Sequence, residues 1–136
     1  MNPVYTASAT SSGRDARAVS SDGRLDLRLA MPKEMGGTGD GTNPEQLLAA
    51  GWAACFSTVM DLIAEGRGLD AKDVAVTAEV SLVPNGPGLA LAAVLRVEMP
   101  DHLRGPDGEK LLEATHRSCP YSTATQGNIP VEIIVE

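Results

Sequence analysis

Apolar and polar residues alternate in several stretches of this chain and give way to one long, mostly apolar run. That contrast predicts its elements. Leu25, Leu27 and Leu29 alternate in LDLRLA after the turn signal SSDG at 20–23, the pattern of a half-buried strand. The preceding VYTASAT and ARAVS are short, β-branched and polar-alternating, in the manner of strands. Val74, Val76, Ala78, Val80 and Leu82 mark a long strand, PNGPG at 84–88 turns the chain, and Leu89, Leu91, Leu95, Val97 and Met99 alternate back to complete a hairpin. Val131, Ile133 and Val135 predict a final strand.

Two segments read as helices. Thr42 or Asn43 can cap the first, Pro44 suits its first turn, and Glu45 places a negative side chain where the helix dipole favours one. It runs through Leu47, Leu48, Cys55, Val59, Leu62 and Ile63 to a stop at GRG, 66–68, and is apolar on most sides, which predicts a central position. The second covers Asp107 to about Ser118 with Leu111, Leu112, Ala114 and Thr115, and Cys119-Pro120 ends it. Glycine concentrates in MPKEMGGTGDGT, 31–42, which predicts a mobile loop leading into the first helix. Strands outnumber helices in an order that excludes a doubly wound parallel sheet, so the class is α+β. The 136 residues show no linker, internal repeat or low-complexity segment, and are expected to form one domain over 1–136.

Composition narrows the function. With aromatic residues at only 3%, the core must be built mainly of Leu, Val, Ile and Ala. A net charge of −7 without a basic run argues against a nucleic-acid partner. MNPVYTASATSSGR lacks the basic start and apolar core of a signal peptide, and no stretch is expected to reach the ~20 apolar residues of a membrane span. The expected setting is the cytoplasm, with no membrane partner, where two cysteines are more often inert or reactive thiols than a structural disulfide.

Reactivity requires thiolate, and burial in an apolar helix holds the proton on. Cys55 lies about three turns into its helix, beyond the useful reach of the N-terminal dipole, so a reactive Cys55 needs a fixed cation from elsewhere. Arg14, Arg17, Arg24 and Arg117 are candidates that spacing does not separate. Cys119, followed by Pro120 at a helix end, sits where backbone geometry can present its side chain.

GRDARAVSSDG (13–23), TNPEQLLAAGWAACF (42–56) and SCPYSTATQGNIPV (118–131) resemble, in order and with both cysteines, the signatures of the organic hydroperoxide resistance branch of the Ohr/OsmC family. The resemblance spans nearly the whole chain. It implies an OsmC-like fold of antiparallel sheets wrapped around central helices, in an intertwined homodimer with active sites at the subunit interface. It further implies a thiol peroxidase that reduces organic or fatty-acid hydroperoxides and is recycled by the dithiol of a lipoylated protein. By the same resemblance Cys55 is the peroxidatic cysteine, Cys119 the resolving cysteine that closes a disulfide with it, Arg14 the cation on the thiolate, and Glu45 the carboxylate that orients Arg14. This chemistry needs no metal and no organic cofactor.

Glu45 and Cys55 are ten residues apart, about 15 Å along a straight helix. Arg14 must bridge them, the helix must bend near Gly51, or the residues must meet across a dimer interface; the last is the expectation. Leu48, Trp52, Thr123 and Gln126 stand where the family commonly has Phe, Tyr, Asn and Arg, so none removes a reactive group but substrate size is left open. Trp52, one turn before Cys55, and Met35 in the glycine loop are candidate pocket residues, whose apolar character would favour organic hydroperoxides; plain core packing is the competing account of Trp52.

Other chemistries fit less well. GGTGDGT before a helix lacks the Gly-Lys-Ser/Thr ending of a phosphate loop, and Asp40 would repel phosphate. His116 and Cys119 have a metal-like spacing, but His102 and Cys55 are the only other such residues, too few for a good site. A non-catalytic module binding a lipid-like molecule, its thiols serving only as a redox sensor, is the alternative from another class; it would form a disulfide without turnover.

Overall fold

The computed structural model describes residues 2–14 and 16–136, in two compact units, Met1–Leu47 and Leu48–Glu136. In the first unit, β1 (Ala9–Ser11), β2 (Arg17–Ser20) and β3 (Asp26–Arg28) form an antiparallel three-stranded sheet in that order. Ser20 and Asp22 tie the β2–β3 turn: Leu25 donates its amide to Ser20 Oγ at 2.9 Å and Arg24 donates its amide to Asp22 at 3.0 Å. The Ser20 hydroxyl also donates to Asp22 at 2.7 Å, and this bond first, with the Arg24 amide, holds Asp22 below the usual carboxylate range. The predicted leucine strand is present, shortened to its centre, with Leu29 buried and Leu27 exposed.

The glycine-rich segment is not the open loop its composition predicts. It forms a 3-10 turn at Lys33–Met35, closed by Gly36 in the left-handed region, and Gly37 and Gly39 donate back to Pro32 and Met31. Gly37 lies so close to the Met31 carbonyl that any side chain would collide with it.

α1 (Pro44–Gly66) starts where the sequence marks it. Asn43 is the cap, its side-chain oxygen accepting the Gln46 amide at 2.9 Å, and Thr42 bonds the Gln46 side chain at 2.8 Å. The helix runs unbroken through Gly51. Its buried stripe is Trp52, Phe56, Met60 and Ala64, at four-residue spacing, whereas Leu62 is 63% exposed. The helix runs through Leu62 and Ile63 as expected; on a helix apolar nearly all round, tertiary contacts choose which stripe is buried. The expectation that no stretch is apolar enough to span a membrane also fails, since α1 has the length and composition to do so, with a mean hydropathy of 1.7 over its most apolar window. The fold uses the Trp52, Phe56, Met60 and Ala64 stripe of this helix as a core face.

In the second unit β4 (Ala75–Asn85) and β5 (Gly88–Glu98) pair antiparallel over their whole length, from Ala75 opposite Glu98 to Asn85 opposite Gly88. Gly86, at φ +57°, and Pro87 make the turn. β6 (Val131–Val135) pairs with β5 in parallel, so this sheet is mixed and not antiparallel as expected. The physical reason is the helical connection from β5 to β6, which returns the chain to the starting end of the sheet. Arg96 crosses the strands to Glu79 and Glu136, each at 3.0 Å.

That connection holds α2 (Pro106–Ser118) and a short α3 (Pro120–Thr125) that the sequence reading did not anticipate. Pro120 does end α2, but it occupies the first position of α3, where its missing amide costs nothing. Ala93, Leu95 and Val97 of β5 join the α1 stripe, Leu111 of α2 and Cys119 in one buried cluster, which is the core of this unit.

Candidate active site

Cys55 and Cys119 come together within the second unit. Both are free thiols, their sulfurs 3.5 Å apart and sharing a hydrogen bond. A disulfide is about 2.05 Å long, so bonding requires an approach of only about 1.5 Å.

Local structure explains each placement. Cys55 follows Trp52 by three residues and precedes Phe56 on α1; those two are fully buried and anchor the helix, leaving Cys55 half-buried at the edge of the stripe. Cys119 is the corner between α2 and α3. Its amide donates to Thr115 O at 2.8 Å, and its carbonyl accepts the Thr123 amide at 3.0 Å. Pro120 disfavours a helical conformation for the residue before it, and Cys119 accordingly has φ −66° and ψ 120°. The expectation that this corner exposes the side chain is not met, because Cys119 is fully buried.

The thiol environment is unfavourable to ionisation. Burial pushes the Cys55 pKa up first, and the hydrogen bond with Cys119 and the negative charge of a second thiolate push in the same direction. The Tyr121 backbone amide opposes them without reversing the sign. A pair this close suits thiol–disulfide exchange, but rapid attack by Cys55 requires a positive charge.

The remaining predicted residues are placed as follows. Arg14 is exposed in a turn between β1 and β2, and Met35 is exposed at the end of the 3-10 turn; both belong to the first unit. Its neighbour Asp15 lies outside the described residues. Glu45 is half-buried in the first turn of α1, and the helix is continuous through Gly51 between it and Cys55. Trp52 is fully buried; its ring centroid is 6.2 Å from that of Tyr121 and tilted by 40°, and its Nε1 has no hydrogen-bond partner among the described residues. Sequence reasoning missed Tyr121, whose position two residues after Cys119 was the available signal. Among the described residues no group of three or more His, Cys, Asp or Glu is gathered to hold a metal.

A mixed α+β fold with paired thiols between a long helix and a helical corner defines a class of small redox proteins. A family model described as OsmC-like protein matches residues 37–134, and the chain belongs to the OsmC family. An organic hydroperoxide resistance protein from Xanthomonas axonopodis pv. citri is 43% identical over 96% of this chain and 93% of its own. The crystal structure of an organic hydroperoxide resistance protein from Legionella pneumophila superposes with a TM-score of 0.88 at 38% identity, covering 99% of each chain. That of OhrB, an organic hydroperoxide resistance protein of Bacillus subtilis, gives 0.83 at 35% identity, over 98% of this chain and 100% of that one. The expected OsmC-like fold and organic hydroperoxide resistance branch are thus established, and these relatives support a hydroperoxide-detoxifying role.

Proposed function

We propose that this protein is a cysteine-based peroxidase of organic hydroperoxides, and the observation that carries the reading is the 3.5 Å approach of two free thiols, Cys55 and Cys119. The Cys55 thiolate attacks the O–O bond of the hydroperoxide; one oxygen stays on sulfur as sulfenic acid and the other leaves as the alcohol with a proton. Cys119 then attacks Cys55 Sγ, the S–S bond forms, the S–O bond breaks, and the hydroxyl leaves as water with the Cys119 proton. An external dithiol, in our reading the lipoyl group of a lipoylated protein, reduces the disulfide, and no bound cofactor takes part.

Cys55 lacks a lowering influence strong enough to offset its burial, and Arg14 is the cation we assign to that task, oriented by Glu45 through paired charge-assisted hydrogen bonds. Trp52 and Met35 are proposed to line the substrate pocket with apolar surface, favouring organic or fatty-acid hydroperoxides. We place the protein in the cytoplasm as a homodimer, with the two units of each chain acting as one domain over 1–136. The outward side of α1 supports the dimer: only 22% of its most apolar window is buried within the chain.

The test is to mix fully reduced protein with one equivalent of cumene hydroperoxide or of hydrogen peroxide and follow free thiols and intact mass. The expected result is fast loss of both thiols, a mass lower by two hydrogens, and a clear preference for the organic oxidant. Cys119→Ser should stop with one added oxygen or further oxidation at Cys55. Slow, equal loss with both oxidants would move the lipid-binding redox sensor ahead.

A further inference from the structure

Gly51 stands in the middle of a long helix, where alanine is the better helix former. No turn requires it. A Cβ built there would fall 2.7 Å from the Tyr121 hydroxyl and 3.3 Å from the ring carbon bearing it. The glycine therefore opens a shallow seat on α1 for the tip of the Tyr121 ring. Gly51 and Cys55 are four residues apart and lie on one side of the helix, so this seat is one turn from the thiol.

Tyr121 reaches the same helix at a second point. Its ring meets Trp52, centroids 6.2 Å apart and tilted by 40°, and its backbone amide lowers the Cys55 pKa, against the stronger upward pull of burial. It is two residues from Cys119, in a turn made stiff by Pro120, by the Thr123 amide bonded to Cys119 O and by Thr125 Oγ1 donating to Tyr121 O at 2.9 Å. Fixing the Tyr121 ring thus fixes the corner that carries Cys119.

We infer that Tyr121, seated on Gly51 and against Trp52, is a positioning residue that holds Cys119 within bonding reach of Cys55 and so sets the rate of disulfide closure. The inference rests on the two-cysteine peroxidase reading for its chemistry, but the proximity it describes is independent of peroxide. Closure by attack of Cys119 on the Cys55 sulfenic acid, with loss of water, gains from proximity; the preceding attack of Cys55 on the hydroperoxide forms no bond to Cys119 and needs no approach of the corner.

Two measurements on the full chain test it. In the first, reduced protein receives one equivalent of cumene hydroperoxide, and sulfenic acid, trapped with dimedone, is counted against disulfide over time. Tyr121→Ala and Gly51→Ala should each slow closure at least tenfold and accumulate sulfenic acid, while consumption of the hydroperoxide stays within about threefold of the parent. Tyr121→Phe keeps the ring and should close at the parent rate. The double substitution Gly51→Ala with Tyr121→Phe removes the colliding oxygen and should restore most of what Gly51→Ala loses, a rescue that general damage to the helix would not show. In the second, the dithiol and disulfide forms are equilibrated in glutathione buffers without peroxide. The same two variants should raise the reduction potential by about 30 mV for each tenfold loss of effective thiol concentration. A parent that forms its disulfide in glutathione but ignores hydroperoxide would refute the peroxidase reading alone. Variants with the parent's closure rate and potential would refute the role of Tyr121.

Discussion

A thiol at the edge of an apolar stripe becomes a nucleophile only when something charged faces it, and the shift on Cys55 gives that statement a sign. Burial and Cys119 both favour the protonated thiol. In the proposed site Arg14 reverses the balance, so Arg14→Ala should leave the Cys55 pKa above the ~8.5 of an ordinary cysteine. Thiolate ultraviolet absorbance against pH, together with the rate of alkylation, measures this. The variant should react with cumene hydroperoxide at least tenfold more slowly at pH 7, regain rate as pH rises, and keep the parent's fold by circular dichroism. An unchanged thiol pKa would refute the role. In Arg14→Ala, where the shift stays upward, it also bears on stability: a folded state that holds this proton longer is favoured below the unfolded thiol's pKa, and that contribution is lost as pH rises through the folded pKa. Both cysteines and their proline and tyrosine neighbours were legible as residue types. Their contact was not derivable from the residues, because 64 positions separate the pair.

Elements respond to substitution according to what they face. Phe56 is fully buried among Trp52, Met60 and Leu95, so Phe56→Ala should cost about 3–5 kcal/mol by chemical denaturation. Gly108, in the first turn of α2, lies against the Leu103 carbonyl so closely that a methyl group cannot fit. Gly108→Ala should therefore destabilise by at least about 2 kcal/mol although alanine is the better helix former, and a neutral or higher melting temperature would contradict the packing. Alternation and capping signals located β4, β5, α1 and α2 because they act within a few residues. α3 escaped because proline reads as a stop and as a first helical residue alike. The parallel pairing of β6 escaped because alternation reports which face is buried and carries no direction.

At the scale of the whole molecule, the exposed side of the longest apolar helix carries Ala50, Ala54, Thr58, Asp61 and Leu62, with Leu62 63% exposed. A second copy is the occupant in our reading, and it also offers a way to bring a carboxylate ten residues from Cys55 into the same site. The protein should elute and scatter light at the mass of two chains at micromolar concentration. Leu62→Arg, which puts a charge on that face, should weaken association at least tenfold by sedimentation. A monomer in the parent would remove the dimer and leave the Arg14 bridge or a bend near Gly51 to join Glu45 to Cys55.

The sequence by itself determined the α+β class, the capped start of α1, the long hairpin and the residue types of a two-thiol chemistry, because periodicity, capping and turn formation are local and each leaves a pattern within a few positions. Tertiary structure alone decided which stripe of α1 is buried, that the glycine segment is folded tightly, that the last strand runs parallel, and that Tyr121 seats on Gly51 beside the thiols. Those outcomes depend on contacts between residues far apart in the chain, where any of several apolar surfaces would satisfy the same local pattern and only packing selects one.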